Sequence, residues 1–288
     1  MIISHKRYDL FGKMIFEKAI IKPPFRKPNP MPNEACFLFV IEGEAVSISE
    51  VERLNFHAKE SVLMKCGNYI SRMLPSKSAK TYQAVAVHFH PDVLKKVYEN
   101  DLPSFLKTSQ NKEGIAQGMA KIKSNTLLIK YIDSLLFYFE NPELVNEELL
   151  ILKLKESILL LNQTKDAPAI QQILSGLFSP TAYSIKHIVN SHIFSDLSIE
   201  DIAQLCNLSL SSFKREFKRI YNDSPANYIK NRRLERASEL LLISDQRISD
   251  IAYDCGFNDL AHFSKSFLEK FKTSPSNYRL NQKNKSLN

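Results

Sequence analysis

The sequence predicts an α+β chain. A β-rich N-terminal part folds as a small barrel and is followed by helices, and an all-helical C-terminal part carries one helix-turn-helix pattern twice. Three observations predict this. Between residues 10 and 90, short apolar segments alternate with turn residues at strand spacing. From Pro91 to Leu161 the apolar pattern lengthens into helical runs. From Ile199 onward a block recurs with nearly fixed spacing.

At 288 residues the chain has the length of two ordinary domains. Its 44% hydrophobic and 24% charged content is that of a globular protein and excludes a disordered one. The net charge of +8 suits a polyanion partner without requiring one. Cations cluster between Lys214 and Arg236. Lys6, Arg7 and Asp9 interrupt the N-terminus, so no signal peptide is expected there. The longest apolar run, Ala35 to Ile41, is too short to span a bilayer. No membrane association and a cytoplasmic location are therefore expected. Cys36, Cys66, Cys206 and Cys255 have neither metal-finger nor redox spacing, and no cofactor is expected.

Taken in order, Pro23 to Pro32 reads as extended loop. The stretch ACFLFVIEGEAVSI is β-rich, with a hairpin turn expected at Glu42-Gly43-Glu44, and SVLMKCGNYISRML repeats the design about Gly67-Asn68. Thr81 to His90 is a further strand. Such strands suggest a cupin-like barrel or sandwich. Phe37, Phe39, Phe56 and Tyr69 could line an apolar pocket or pack the core. His88 and His90 alternate on one strand and face the same side, which raises the alternative of a metal-dependent cupin enzyme with an attached helical domain. Its third ligand would have to be distant, such as His57, because Leu94, Lys95 and Lys96 stand where a cupin enzyme carries a glutamate. No nucleophile elbow, phosphate loop or paired carboxylate site appears, so no catalytic residue is assigned.

Pro91 suits the first turn of a helix, and Leu127–Phe139 and Glu147–Leu161 follow as helices apolar on more than one face. Burial against the barrel or a dimer interface would each satisfy them. Residues 163–180 read as a linker. The expected division is thus 1–162 for a β-rich sensor and dimerisation domain, with strands at about 10–90 and helices at about 91–161, then the linker, then 181–288 for the helical domain.

In the repeat, Asp201, Ile202, Ala203 and Cys206 match Asp250, Ile251, Ala252 and Cys255. Phe213, Phe217, Ser224, Pro225, Asn227 and Tyr228 match Phe263, Phe267, Ser274, Pro275, Asn277 and Tyr278. Ala203 and Ala252 allow a close helix crossing. Asn207 and Gly256 suit a left-handed turn, and Ser209 and Asn258 suit helix caps. Phe213 and Phe217, like Phe263 and Phe267, stand one turn apart and face inward. A protein-binding helical solenoid would normally need three or more repeats, and two are present.

On these motifs the chain resembles the AraC/XylS family of transcription regulators, clearly so over about residues 183–280, and within it the virulence-type branch exemplified by ExsA. The resemblance implies a regulator whose two recognition helices enter successive major grooves of double-stranded DNA. It implies a homodimer formed through the sensor half, a small-molecule effector or a regulatory protein acting on that half, and RNA polymerase as a partner if the protein activates. Base-contacting candidates are Ser211, Lys214 and Arg215 in the first unit and Ala261, His262, Ser264 and Lys265 in the second. Arg215 occupies a position where the family often has arginine, two before the inward Phe217, whereas Lys265 stands where arginine is common, which implies weaker readout by the second unit. Backbone-contacting candidates are Ser212, Lys218, Arg219, Arg232, Arg233, Arg236, Lys270 and Lys272. A long helix, about Ala226 to Ile243, joins the units.

Overall fold

A computed structural model describes residues 1–76, 79–99, 101–107, 118–123, 125–178 and 183–285. The chain divides into two compact units, Met1–Ala182 and Tyr183–Asn288.

Ten strands build the first unit. They are β1 (Ile2–Leu10), β2 (Lys13–Ile21), β3 (Phe25–Met31), β4 (Ala35–Glu42), β5 (Glu44–Ile48), β6 (Arg53–His57), β7 (Ser61–Met64), β8 (Gly67–Leu74), β9 (Tyr82–Phe89) and β10 (Met119–Ile122). They form a six-stranded sheet, β1-β2-β9-β4-β7-β10, and a four-stranded sheet, β3-β8-β5-β6, and every pairing is antiparallel.

Several expectations change here. Strands begin at Ile2, not near residue 10. The Pro-rich segment contains β3, which among the described residues pairs only with β8; as an edge strand it can carry Pro28 and Pro30. Neither expected hairpin forms, because β4 and β5 lie in different sheets, as do β7 and β8. Gly43 instead turns the corner between sheets. Its φ is +89°, and a Cβ there would lie 2.8 Å from the Thr81 carbonyl oxygen.

The alternation along β9 feeds two cores. Val85, Val87 and Phe89 face a core shared with the helices, whereas Tyr82, Ala84 and Ala86 face the core between the sheets. The helices are α1 (Pro91–Val97), α2 (Ser104–Lys107), α3 (Thr126–Glu140), α4 (Glu147–Asn162) and α5 (Ala167–Ser175). Asn125 and Asn146 cap α3 and α4 through their side-chain oxygens. The segment 163–180 is not a linker. Ile170, Ile173 and Leu174 of α5, with Leu177 beyond it, are buried in the helix-side core, a stripe masked in the sequence by its polar neighbours. Residues 179 and 180 lie outside the described residues.

Of the four proposed pocket aromatics, Phe37 and Phe39 belong to the helix-side core, and Phe56 and Tyr69 to the core between the sheets. Phe56 alone lines the cavity of about 60 Å³ between the sheets.

The second unit contains α6 (Ile185–His192), α7 (Ile199–Leu205), α8 (Leu210–Tyr221), α9 (Pro225–Ile243), α10 (Ile248–Asp254), α11 (Leu260–Phe271) and α12 (Pro275–Lys285). The joining helix α9 is 19 residues long, about 28 Å.

Candidate nucleic-acid interface

Each repeat folds as helix, turn and helix for the same physical reasons. A reciprocal capping box starts α7: Ser198 Oγ accepts from Asp201 N–H, and the Asp201 carboxylate accepts from Ser198 N–H, each at 3.1 Å. Ala203 and Ala252 are fully buried at the helix crossings. Asn207 and Gly256 take the left-handed turn positions, with φ of 54° and 85°. Only glycine fits at 256, where a Cβ would lie 2.9 Å from both the Phe194 oxygen and the Arg233 guanidinium carbon. Ser209 caps α8 through the Ser212 N–H. In the second copy the cap is Asp259, accepting from Ala261 N–H at 2.9 Å, and not Asn258 as expected.

Phe213 and Phe217 are fully buried, as are Phe263 and Phe267, with ring centroids 5.5 and 5.6 Å apart. The shared Ser-Pro-x-Asn-Tyr closes each unit. Ser224 and Ser274 cap the following helix, and Tyr228 and Tyr278 pack edge-on against Phe217 and Phe267 at 5.5 and 5.4 Å.

Locking the aromatic row inward fixes what faces outward. On α8, Ser211, Lys214, Arg215, Lys218 and Arg219 are exposed. Among the described residues Lys214 and Arg215 carry no ion pair or side-chain hydrogen bond, whereas Arg219 Nε is 2.9 Å from Glu216. The Ser211 and Ser212 hydroxyls lie 3.1 and 3.0 Å from Ser209 Oγ, so both belong to the cap. On α11, Ala261, His262, Ser264 and Lys265 are exposed. The His262 ring leans on Phe257 at 6.0 Å, and Lys272 is exposed in the left-handed residue that ends α11.

Two expected backbone contacts are corrected. Arg233 turns into the unit and donates to three main-chain carbonyls, those of Ile193, Ser195 and Gly256, each at 2.6 Å. Burial pulls its pKa below the ordinary arginine value. Lys270 Nζ reaches from α11 to α9, 2.9 Å from Glu235 Oε1 and 3.2 Å from the Asn231 oxygen. Both residues hold helices together. Arg232 and Arg236 stay exposed, each 3.0 Å from a carboxylate, Glu235 and Glu239. Such surface pairs are weak and can open toward phosphate.

Sequence reasoning missed a charged cluster in the first unit. His88 Nδ1 lies 3.1 Å from Glu34 and its Nε2 lies 3.3 Å from Glu17, which also contacts His5 at 2.7 Å; His90 Nε2 donates to the Met14 oxygen at 2.8 Å and sits 3.2 Å from Glu34. Burial opposes charge on His88, but the bonds from Glu17 and Glu34 override it and raise its pKa to about 9. Burial likewise opposes charge on Glu17, and His88 overrides it, lowering the carboxyl to about 2. His57, the distant third ligand that a metal site would need, stands on β6 beside Glu44, whereas His88 lies on β9 and His90 directly follows it. Among the described residues no group of three His, Cys, Asp or Glu side chains is arranged to hold a metal. No described helix is long and apolar enough to cross a membrane.

The duplicated unit, its inward aromatics and its outward polar row define a double helix-turn-helix DNA-binding domain. The family described as "Helix-turn-helix domain" matches residues 202–281, and that described as "ExsA N-terminal regulatory domain" matches residues 35–173. The chain thus carries an AraC-type helix-turn-helix domain in its C-terminal unit and an ExsA-type regulatory domain in its N-terminal unit.

It is 29% identical over 128 residues to the HTH-type transcriptional regulator ExsA of Pseudomonas aeruginosa, covering 44% of this chain and 46% of that one. It is 31% identical over 144 residues to the transcriptional activator RhaS of Citrobacter koseri, covering 49% and 48%. The chain thus spans about half the length of these curated relatives. Among solved structures it is similar to fatty-acid-bound ToxT of Vibrio cholerae, at 16% identity and a TM-score of 0.39 over 92% of this chain and 94% of that one. It is also similar to the DNA-binding domain of AdpA in complex with target DNA, at 23% identity and a TM-score of 0.34 over 35% and 91%.

Proposed function

We propose that the protein is a sequence-specific transcription regulator that sets α8 and α11 into two successive major grooves on one face of a duplex. One observation carries this reading: Lys214 and Arg215 stand exposed and unpaired among the described residues, on a helix whose opposite row is locked by two buried phenylalanines. An arginine so held can bond both acceptors of guanine. Hydroxyl-radical footprinting of the full chain on a site selected from random sequence tests it. Two protected patches about 10 base pairs apart on the same face are expected for each bound copy. One patch, or patches on opposite faces, would overturn it.

The first unit serves as sensor and homodimer interface. Leu127 and Phe137 on α3, and Leu152 and Leu159 on α4, are 50–61% exposed, and Leu152 and Leu159 share one side of their helix at a spacing of seven. A second copy of these helices would cover them. Control by a small effector or a regulatory protein acting on this unit, contact with RNA polymerase if the protein activates, and a cytoplasmic location complete the reading. The relatives bear the names of transcription regulators, which favours a non-enzymatic role.

A further inference from the structure

The second unit holds a cleft of about 810 Å³ between the start of α7, the first half of α9 and the turn leading into α11. Lys230 of α9, with Asn258 and His262 from the α11 side, line it, and Arg233 borders it as well. His262 belongs to the exposed row of α11, so the cleft adjoins the surface that α11 presents to DNA.

The side chains that line the cleft include two cations and one carboxylate. Its charged lining groups are Lys230, Arg233 and Asp259. Arg233 donates to three neutral carbonyls and has the Asp196 carboxylate acting on its charge, so it is held as part of the fold. Asp259 is engaged in capping α11. Lys230 differs from the other cations of α9. Arg232 and Arg236 each face a carboxylate, and Arg233 is turned inward, whereas Lys230 has no ion pair or side-chain hydrogen bond among the described residues. Asn258 is exposed and its amide has no described partner.

We propose that this cleft seats the sugar–phosphate backbone of the duplex between the two major grooves, with the Lys230 ammonium on a phosphate and the Asn258 amide donating beside it. The proposal rests on the two-groove reading above. It makes Lys230 and Asn258 positioning contacts that carry no sequence information, because phosphate contacts fix register while base edges specify.

The test is a titration of the full chain by fluorescence anisotropy, on its selected duplex and on a scrambled one, across a series of salt concentrations. Each phosphate contact contributes about 0.9 to the slope of log affinity against log salt. Lys230→Gln should weaken both duplexes several-fold and by the same factor, with a slope shallower by about 0.9. Asn258→Lys should tighten both and steepen the slope by about the same amount. Arg215→Ala, run alongside, should weaken the selected duplex alone.

If Arg215→Ala behaves so but Lys230→Gln leaves the slope unchanged, the cleft proposal is overturned and the two-groove reading stands. If Asn258→Lys loosens both duplexes, the cleft does not face phosphate and the proposal fails in the same way. If wild-type protein binds neither duplex at low salt, the DNA-binding reading itself fails. Should Lys230→Gln melt early, Asn258→Lys decides the matter alone.

Discussion

Replacing Arg233 with methionine keeps a stem of similar length and removes the guanidinium. Three hydrogen bonds of 2.6 Å are lost, to carbonyls at Ile193, Ser195 and Gly256. They tie α9 both to the segment after α6 and to the turn of the second helix-turn-helix. A hydrogen bond to a charged group contributes about 1.5–3 kcal/mol net. Removing the half-buried charge returns part of this, since its desolvation no longer has to be met, so a net loss of about 3–5 kcal/mol is expected. For a unit of this size that lowers the melting temperature by about 20 °C. Arg233→Lys keeps the charge but not the planar fork, and should fall between wild type and Arg233→Met. The measurement is thermal unfolding of the full chain followed by circular dichroism, with duplex binding measured well below the transition. If Arg233→Met melts with wild type while binding every duplex more weakly, Arg233 is a phosphate contact and the structural assignment is wrong.

Arg215→Ala should cost about 1–3 kcal/mol on the preferred site and relax one base position; an equal loss on random DNA would move Arg215 to the backbone class. The His88–Glu17 pair gives the first unit a pH signature. Glu17, lowered from 4.5 to about 2, contributes stability above 4.5 that is lost as pH falls toward 2, and His88, raised from 6.5 to about 9, contributes stability below 6.5 that is lost as pH rises through 9. Urea unfolding should therefore show this contribution greatest between about pH 4.5 and 6.5, and His88→Gln should remove the alkaline decline; an unchanged decline would place its origin elsewhere. Leu152→Glu combined with Leu159→Glu should yield a folded monomer by sedimentation, whereas a wild-type monomer at micromolar concentration would refute the interface.

The second unit was legible because its signals are local and occur twice. Ala203 and Ala252, the turn residues Asn207 and Gly256, and the paired phenylalanines each answer a short-range steric demand, and a second aligned copy removes coincidence. Arg233 was misplaced because charge was read without position. It lies four residues from both Ile229 and Ala237, on the same row as Leu241, and those three are buried, so helical periodicity already turned it inward. Lys270 could not be placed by any local rule, since its partners Asn231 and Glu235 are more than thirty residues away. The first unit was legible as strands but not as sheets. Glycine marked the turn at Gly43, yet whether a turn closes a hairpin or passes the chain to a second sheet depends on pairings distant in sequence, such as β4 with β9. The Glu17–His88–Glu34 chain was invisible for the same reason: its members come from β2, β9 and the residue before β4.

The two copies have kept one scaffold and parted in chemistry, and the parting follows position by position. At equivalent outward sites Lys214, Arg215, Lys218 and Arg219 of α8 correspond to Ser264, Lys265, Leu268 and Glu269 of α11. The first row presents four cations; the second presents one cation, one acid and a leucine that is half exposed. Phosphate attraction scales with the cations that reach the backbone, so Lys218 and Arg219 should give α8 more of the salt-dependent affinity than α11 has, and α11 should contribute mainly groove contacts. Leu268→Lys restores at α11 the charge that Lys218 gives α8, at a site already open to solvent. It should tighten binding on selected and scrambled duplexes alike and steepen the salt slope by about 0.9. An unchanged slope would mean that this side of α11 does not meet the duplex, and the two-groove arrangement would lose its second half.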